Sequence, residues 1–397
     1  MGFWSICLTL IANWVSMCWL ECGSSTRRGC RGRSPCPIGG MREHQPTHCS
    51  DNGTGGALMA DQRITSLDVA RMAGVSQSAV SRVFSGASAS AATIAKVRAA
   101  AEQLGYRPNA MARAMKSGKS RIIGLLVAYL ENQFYPIALE RLSRALQARG
   151  YHILIFMVPN ASDQIESTVQ ELLDYQVDGI VTASVSMSFG LTERCASSGI
   201  PVVMFNRGQD GSGLSMVTSD NLGGGRKVAE FLIAGGHTRI AHIMGWQGSS
   251  TGRDRAFGFR QGLAAAGLAP LVEVDGMYAR EDAAKATRAL MERPDPPDAI
   301  FVGNDHMAFA VMDVLRSELG LRVPQDVSVV GYDDVPLAAW PAYDLTSLRQ
   351  PLNRMVEATV DTLLGQIEHP KRPTQKIEIA GPLIVRGSAR IPEGWTS

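Results

Sequence analysis

TSLDVARMAGVSQSAVSRVF, residues 65–84, reads as two short helices joined by a tight turn. Thr65 or Ser66 can cap the first helix, and Asp68 lies near its start, where negative charge favours the helix dipole. Val69, Met72 and Ala73 give that helix an apolar face. Gly74 tolerates the left-handed backbone that ends a helix, so it supplies the turn. Ser76 then caps a second helix led by Gln77, Ser78 and Ser81, with Arg82 following; Val80 and Val83 point the other way into a small core. Small polar side chains at a helix start, with an arginine one turn on, suit base edges and phosphates in a major groove.

Ser90 caps a third helix, whose apolar residues Ile94, Val97, Ala101 and Leu104 keep helical spacing, and Gly105 ends it. YRPNAMARAMK, residues 106–116, can form one more short helix before a Ser-Gly-Lys-Ser linker at 117–120. The run LDVARMAGVSQSAVSRVFSG followed by LGYRPNAMARAMKSGKS resembles the DNA-binding headpiece and hinge of the LacI/GalR family of bacterial transcriptional repressors, over about sixty residues and in family-specific order. The domain organisation read here is an extension at 1–60, a helix-turn-helix headpiece at 61–107, a hinge helix and linker at 108–120, and a large domain at 121–390.

Charge supports a protein that meets phosphate at one end. The 397-residue chain carries a net charge of only +2. Residues 61–120 hold nine Lys or Arg against three acids, a local +6, and residues 121–397 sum to −6. Six of the seven cysteines lie within the first 49 residues and only Cys195 beyond, so the rest of the chain reads as a reduced, cytosolic protein. The cysteine spacing makes no zinc pattern. Residues 2–20, GFWSICLTLIANWVSMCWL, are apolar enough to enter a membrane but lack the preceding positive charge of a secretory signal. Residues 23–58 have no periodicity and read as disordered. The compositional break at Met59-Ala-Asp-Gln-Arg-Ile-Thr-Ser favours an upstream misassigned start, with translation beginning at Met59 or Met41. A membrane-tethered or exported sugar-binding protein is the alternative.

From Ile122 onward short β-branched runs alternate with amphipathic helices, the pattern of parallel strands covered on both faces. Strands are expected at 122–128, 152–158, 178–183, 201–205, 239–244, 298–303 and 326–334, with helices at 135–149, 163–176, 253–266 and 305–319. The fold class is therefore α/β: an all-α headpiece followed by two doubly wound parallel-sheet subdomains. Residues 121–390 also resemble the LacI-family effector domain, similar in fold to periplasmic sugar-binding proteins. That resemblance implies three crossings between lobes, placed near 218, 347 and 377. Lobe 1 is then about 121–218 with 348–376, and lobe 2 about 219–347 with 377–390. It also implies a cleft that closes on a small molecule.

Polar residues just after strands are where ligand contacts belong. Asn132 and Phe134 follow the first strand, in Asn-Gln-Phe-Tyr where the family commonly has Asn-Pro-Phe-Phe, and Phe134 can stack on a sugar ring. Asn206 follows PVVMF, Arg253 in STGRDRAFGF stands at the family's ligand-binding arginine, Asn304 follows DAIFVG, and Asp333 ends SVVGYDD. Amides, an arginine and a carboxylate around an aromatic face make a hydroxyl-binding set, and the Arg253 fork also suits a carboxylate or phosphate. Asp305 reads as a helix cap, Asp334 as a turn residue and His242 as a hydrogen-bonded core residue. Gly223-Gly224-Gly225 lacks the spacing of a dinucleotide fingerprint. No Gly-x-Ser-x-Gly, HExxH or Walker pattern is present, and neither an enzyme nor a cofactor is expected.

The resemblance implies a homodimer reading a near-palindromic duplex operator. Gln77, Ser78 and Arg82 would face bases, with Ser81 on the same face, while Thr65, Ser76 and Asn109 hold phosphates. Met115 occupies the place of the family's minor-groove leucine wedge, and Lys116 adds a backbone contact. The effector expected is a sugar or sugar acid whose binding orders or melts the hinge helix at 108–116.

Overall fold

A computed structural model describes residues 64–85, 87–107, 119–158, 162–184, 195 and 197–395. The extension at 1–60 and the hinge residues Asn109, Met115 and Lys116 lie outside the described residues.

The amino-terminal unit is three helices: α1 (Ser66–Ala73), α2 (Gln77–Ser85) and α3 (Ala91–Gln103). The Thr65 amide and hydroxyl both donate to Asp68 Oδ2, at 3.0 and 2.7 Å, which closes a capping box. Gly74 takes φ 64° at the turn, a conformation free of strain only without a Cβ. Ser76 Oγ accepts from the Ala79 amide, and Ser90 Oγ from Thr93, each at 3.2 Å. Val69, Ala70, Val80, Val97, Ala100 and Ala101 form the core, with Phe84 and Tyr106 rings 5.8 Å apart beside it. The expected apolar face is corrected at one position: Met72 is 51% exposed and Ala70 is buried in its place. Val69, Ala70 and Ala73 share one side of α1, and Met72 sits about 100° around from their mean.

The larger part contains two six-stranded sheets. The first is ordered β11-β5-β4-β3-β1-β2, all parallel, from β1 (Ile122–Val127), β2 (His152–Met157), β3 (Gly179–Ala183), β4 (Val202–Phe205), β5 (Ser215–Ser219) and β11 (Lys376–Ile379). The second is ordered β12-β10-β9-β8-β6-β7, from β6 (Ile240–Met244), β7 (Glu273–Asp275), β8 (Ala299–Val302), β9 (Ser328–Asp333), β10 (Thr346–Arg349) and β12 (Leu383–Ile384). Only β12 runs antiparallel. Both sheets repeat one winding, so each has a switch point where the order reverses: between β1 and β3, and between β6 and β8. Loops at the carboxyl ends of strands around such points open the crevice where α/β sheets bind ligands.

The chain passes between sheets at about 220, 350 and 380, so β11 stays with the first sheet whereas the expected crossing near 377 falls inside it. The helices are α4 (Phe134–Ala148), α5 (Ser162–Asp174), α6 (Asn221–Ala234), α7 (Ser250–Ala265), α8 (Arg280–Met291), α9 (Asp305–Asp313) and α10 (Leu352–Glu368), with α9 continuing into a π turn at Val314–Glu318. One apolar cluster runs through both lobes, from Ile123, Leu142 and Phe205 to Ile243, Val302 and Met355. The triple glycine at 223–225 is explained by packing. A Cβ at Gly225 would fall on the Arg255 carbonyl, and one at Gly258 on the Leu222 carbonyl, so glycines let α6 and α7 touch backbone to backbone.

Candidate DNA interface and effector cleft

On the headpiece, Gln77, Ser78 and Arg82 are exposed along α2 and Ser81 is half-buried. Gln77 Nε2 donates to Ser66 Oγ at 2.9 Å, and the Ser76 and Ser78 hydroxyls are 2.9 Å apart. These contacts fix the leading side chains against one another at the start of α2. The Thr65 hydroxyl hydrogen is committed to Asp68, and that bond holds the Asp68 carboxyl below its ordinary range.

In the two-lobed part, the loops after β1, β4, β8 and β9 bring together most of the expected residues. Asn132, 4% exposed on lobe 1, donates from Nδ2 to Asp333 Oδ2 on lobe 2 at 3.4 Å. Its Oδ1 accepts from the Phe134 amide. Asp333 Oδ1 accepts from Gln350 Nε2 at 2.7 Å. Asn206 donates to the Tyr135 hydroxyl at 3.1 Å, and Asn304 caps α9 by accepting from the Met307 amide at 3.0 Å. Asn206 (φ 69°) and Asp333 (φ 121°) both hold left-handed backbone, strain that persists only where surroundings enforce it. Burial pushes the Asp333 carboxyl up, against the pull of Arg255 and its hydrogen bonds. Burial and the charge of Asp333 raise Asp305 further.

One expectation is corrected. Arg253 is half-exposed and lies 3.8 Å from the exposed Asp210. The cleft arginine is Arg255, two residues on. Its Nε donates to Asn221 Oδ1 at 2.9 Å, one terminal nitrogen to the Gly303 carbonyl at 2.6 Å, and the other is 3.7 Å from Asp333. The guanidinium carbon sits 3.6 Å over the Tyr332 ring. The physical reason is helical phase: Gly252, Arg255, Ala256 and Phe259 follow the buried stripe of α7, and Arg253 falls off it. Phe134 lines a pocket beside Asp333 and Gln350 and already has a stacking partner on one face. Its ring is 3% exposed and lies parallel to Phe205 at 6.2 Å. Tyr129, Trp246 and Tyr278 surround a cavity of about 460 Å³ that they share with Arg207, Arg280, His306, Glu131 and Glu281.

Neighbouring acids have structural tasks. Asp305 does not cap α9. It accepts from Ser347 Oγ at 2.6 Å and from the Val335 amide at 2.9 Å, locking the turn after β9. Asp334 is clamped by Arg349 at 2.6 Å and Arg386 at 2.7 Å. His242 stacks on Phe301 at 4.6 Å, with Nδ1 3.5 Å from Glu273. Asp178, at the other end of the first sheet, accepts from the Ser120 amide (2.8 Å) and hydroxyl (3.0 Å) and the Arg121 amide (3.0 Å), tying the linker to lobe 1. Among the described residues no group of three acidic, His or Cys side chains could hold a metal, and no helix is long and apolar enough to cross a membrane.

A helix-turn-helix reader on the same chain as a two-lobed ligand-binding core defines a ligand-responsive DNA-binding protein. Residues 65–109 match the bacterial regulatory proteins of the lacI family, and residues 229–389 a periplasmic binding protein-like domain. The ribose operon repressor of Escherichia coli K12 is 34% identical over 331 residues, covering 82% of this chain and 99% of that protein. The transcriptional regulator CelR, solved with cellobiose, is 32% identical with a TM-score of 0.62, over 82% of this chain and 100% of that one. The lac repressor dimer bound to operator and the anti-inducer ONPF is 26% identical with a TM-score of 0.75, over 82% and 99%. The chain belongs to the LacI family of bacterial regulatory proteins, and it is a DNA-binding transcriptional regulator.

Proposed function

We propose that this chain works in the cytoplasm as a homodimeric repressor whose operator affinity is set by a small polyhydroxylated effector held between its lobes, and that it catalyses no reaction. The effector side chains are Asn132, Asn206, Arg207, Arg255, Asn304 and Asp333, with Trp246 and Tyr278 as the apolar walls. One observation carries the reading. Buried polar atoms from both lobes converge at the carboxyl ends of the strands without partners: Asn206 Oδ1, Arg207 Nε, Asn304 Nδ2 and Gln350 Oε1. Each such atom costs about 1–3 kcal/mol, which a hydroxylated ligand between the lobes recovers.

The Asn132–Asp333 contact gives closure a direct link from lobe 1 to lobe 2. Lobe 1 in turn holds the linker through Asp178, so a lobe movement reaches residues 119–121 as a displacement of their backbone. On DNA, Gln77, Ser78 and Arg82 read bases, while Ser76, Asn109 and Lys116 hold phosphates, Thr65 joins them by turning its hydroxyl away from Asp68, and Met115 wedges the minor groove. A relative named as a ribose operon repressor and a regulator solved with cellobiose support a sugar-sized ligand. The test is a thermal-shift screen of the purified chain against pentoses, hexoses and their acids, with hits carried into operator binding by gel shift. A hit that raises Tm and changes operator affinity supports the reading; hits that bind and leave operator affinity unchanged refute it.

A further inference from the structure

Arg207 is 5% exposed, yet among the described residues no carboxylate lies within ion-pair distance of it. One terminal nitrogen donates to the Ser184 carbonyl at 3.1 Å and the other to the Tyr129 hydroxyl at 2.9 Å. Both acceptors are neutral. Nε is buried with no partner at all. The guanidinium carbon lies 5.8 Å from the Tyr129 ring and 5.2 Å from the Tyr278 ring, so aromatic faces cradle it without neutralising it. An arginine keeps its charge at any physiological pH, and a buried charge is ordinarily paired.

The charges around it do not close the balance. Arg255 shares Asp333, at 3.7 Å, and that carboxylate is also engaged by Asn132 and Gln350. Asp305 is engaged by the Ser347 hydroxyl and the Val335 amide, and burial and Asp333 push it well above the usual carboxylate range. Asp334 is consumed by Arg349 and Arg386. At the mouth, Arg280 is paired with Asp313 at 3.2 Å, and Glu131 and Glu281 line the cavity from its exposed rim, outside ion-pair distance of Arg207. His306 is held below its ordinary pKa by burial and then by Arg280. The inner cleft thus holds two guanidinium groups, Arg207 and Arg255, and among the described residues Asp333 is the one carboxylate within 4 Å of either.

We infer that the effector is an anion, a sugar acid or sugar phosphate, and that Arg207 holds its carboxylate or phosphoryl group. This deepens the reading above and rests on it for the location of the ligand. Arginine uses only two of its five N–H donors on the protein here, and the remaining edge, Nε with a terminal nitrogen, is the fork that grips two oxygens of an anion. Tyr129 and Tyr278 exclude water around it, which strengthens the ion pair. The sugar ring then falls against Trp246, with its hydroxyls toward Asn206 and Asn304.

Isothermal titration of the full chain with D-ribose, D-ribonate and D-ribose 5-phosphate at matched ionic strength tests this, alongside thermal shift with inorganic phosphate against sodium chloride. An anionic sugar is expected to bind at least roughly tenfold more tightly than ribose, the usual advantage of a charge-assisted pair. Phosphate alone is expected to raise Tm saturably, and Arg207→Met to remove that rise. Arg207→Lys keeps the charge and loses the fork, so it should bind the anionic sugar with about tenfold lower affinity than the parent, which serves if Arg207→Met does not fold. Ribose binding as tightly as both anions, while changing operator affinity, overturns the inference and leaves the regulatory reading intact. A phosphate shift that survives Arg207→Met also overturns it. A phosphate shift lost in Arg207→Met, with tight binding of an anionic sugar that leaves operator affinity unchanged, upholds the anion site and refutes the regulatory reading.

Discussion

Replacing Arg255 by methionine removes a buried cation from three partners at once. Asn221 Oδ1 and the Gly303 carbonyl each lose a charged donor, and Asp333 loses its nearest counter-charge. The Arg255 side chain is 3% exposed and Asp333 2%, so water cannot substitute. Breaking one side of such a buried pair costs about 3–5 kcal/mol. The matched control is Arg253→Met, whose side chain is 51% exposed beside an 83% exposed Asp210. That pair is worth about 0–1 kcal/mol. Urea unfolding at pH 7, followed by tryptophan fluorescence, reads both. The deficit also has a pH signature. Asp333 already titrates above its unfolded value, so it stabilises the fold below the unfolded aspartate pKa, and that contribution is lost as pH rises through the window up to the folded pKa. Without Arg255 the folded pKa rises further and the window widens, so the deficit of Arg255→Met shrinks as pH falls from 7 toward 4. Equal losses for the two variants, or a deficit independent of pH, would refute the placement of Arg255 as the cleft arginine.

Asp178→Ala frees the Ser120 and Arg121 amides from lobe 1. It should leave effector affinity within about twofold by calorimetry while the effect of ligand on operator affinity, usually about 1–3 kcal/mol, declines. Gly258→Ala places a methyl on the Leu222 carbonyl and should lower stability by about 1–3 kcal/mol, read as a fall in Tm. On the headpiece, Arg82→Ala should weaken operator binding and, if the contact is to phosphate, reduce the log–log salt slope by about one; an unchanged affinity removes Arg82 from the interface.

Local chemistry made the headpiece readable. Capping by Thr65, Ser76 and Ser90 and the turn at Gly74 are decided within four residues, so spacing suffices. Hydrophobic runs gave the buried strands β1, β3, β4, β6, β8 and β9. Among the strands left unread, β5 is Ser-Met-Val-Thr-Ser, buried because it lies between β4 and β11, and β7 has three residues. Their sequences show no alternation, and neighbours far along the chain decide their burial. In the cleft, polar residues after strands were legible because the sheet fixes where strand ends point. Arg253 and Arg255 are both arginines at a helix start, and only the phase of the glycines and Phe259 separates them. Phe134 reads as a free aromatic until Phe205, seventy-one positions on, covers its face. Arg207 stood out only once its surroundings were known, since a missing counter-ion has no sequence signature.

Coupling between the cleft and the headpiece is reciprocal, so it can be measured from both sides. Fluorescence anisotropy gives operator affinity with and without saturating ligand; calorimetry gives ligand affinity with and without saturating operator. Ligand-controlled operator binding requires the same factor in both directions, within roughly 5- to 150-fold. A ligand that occupies the cleft, is lost on Arg255→Met, and changes operator affinity by no measurable factor would contradict it.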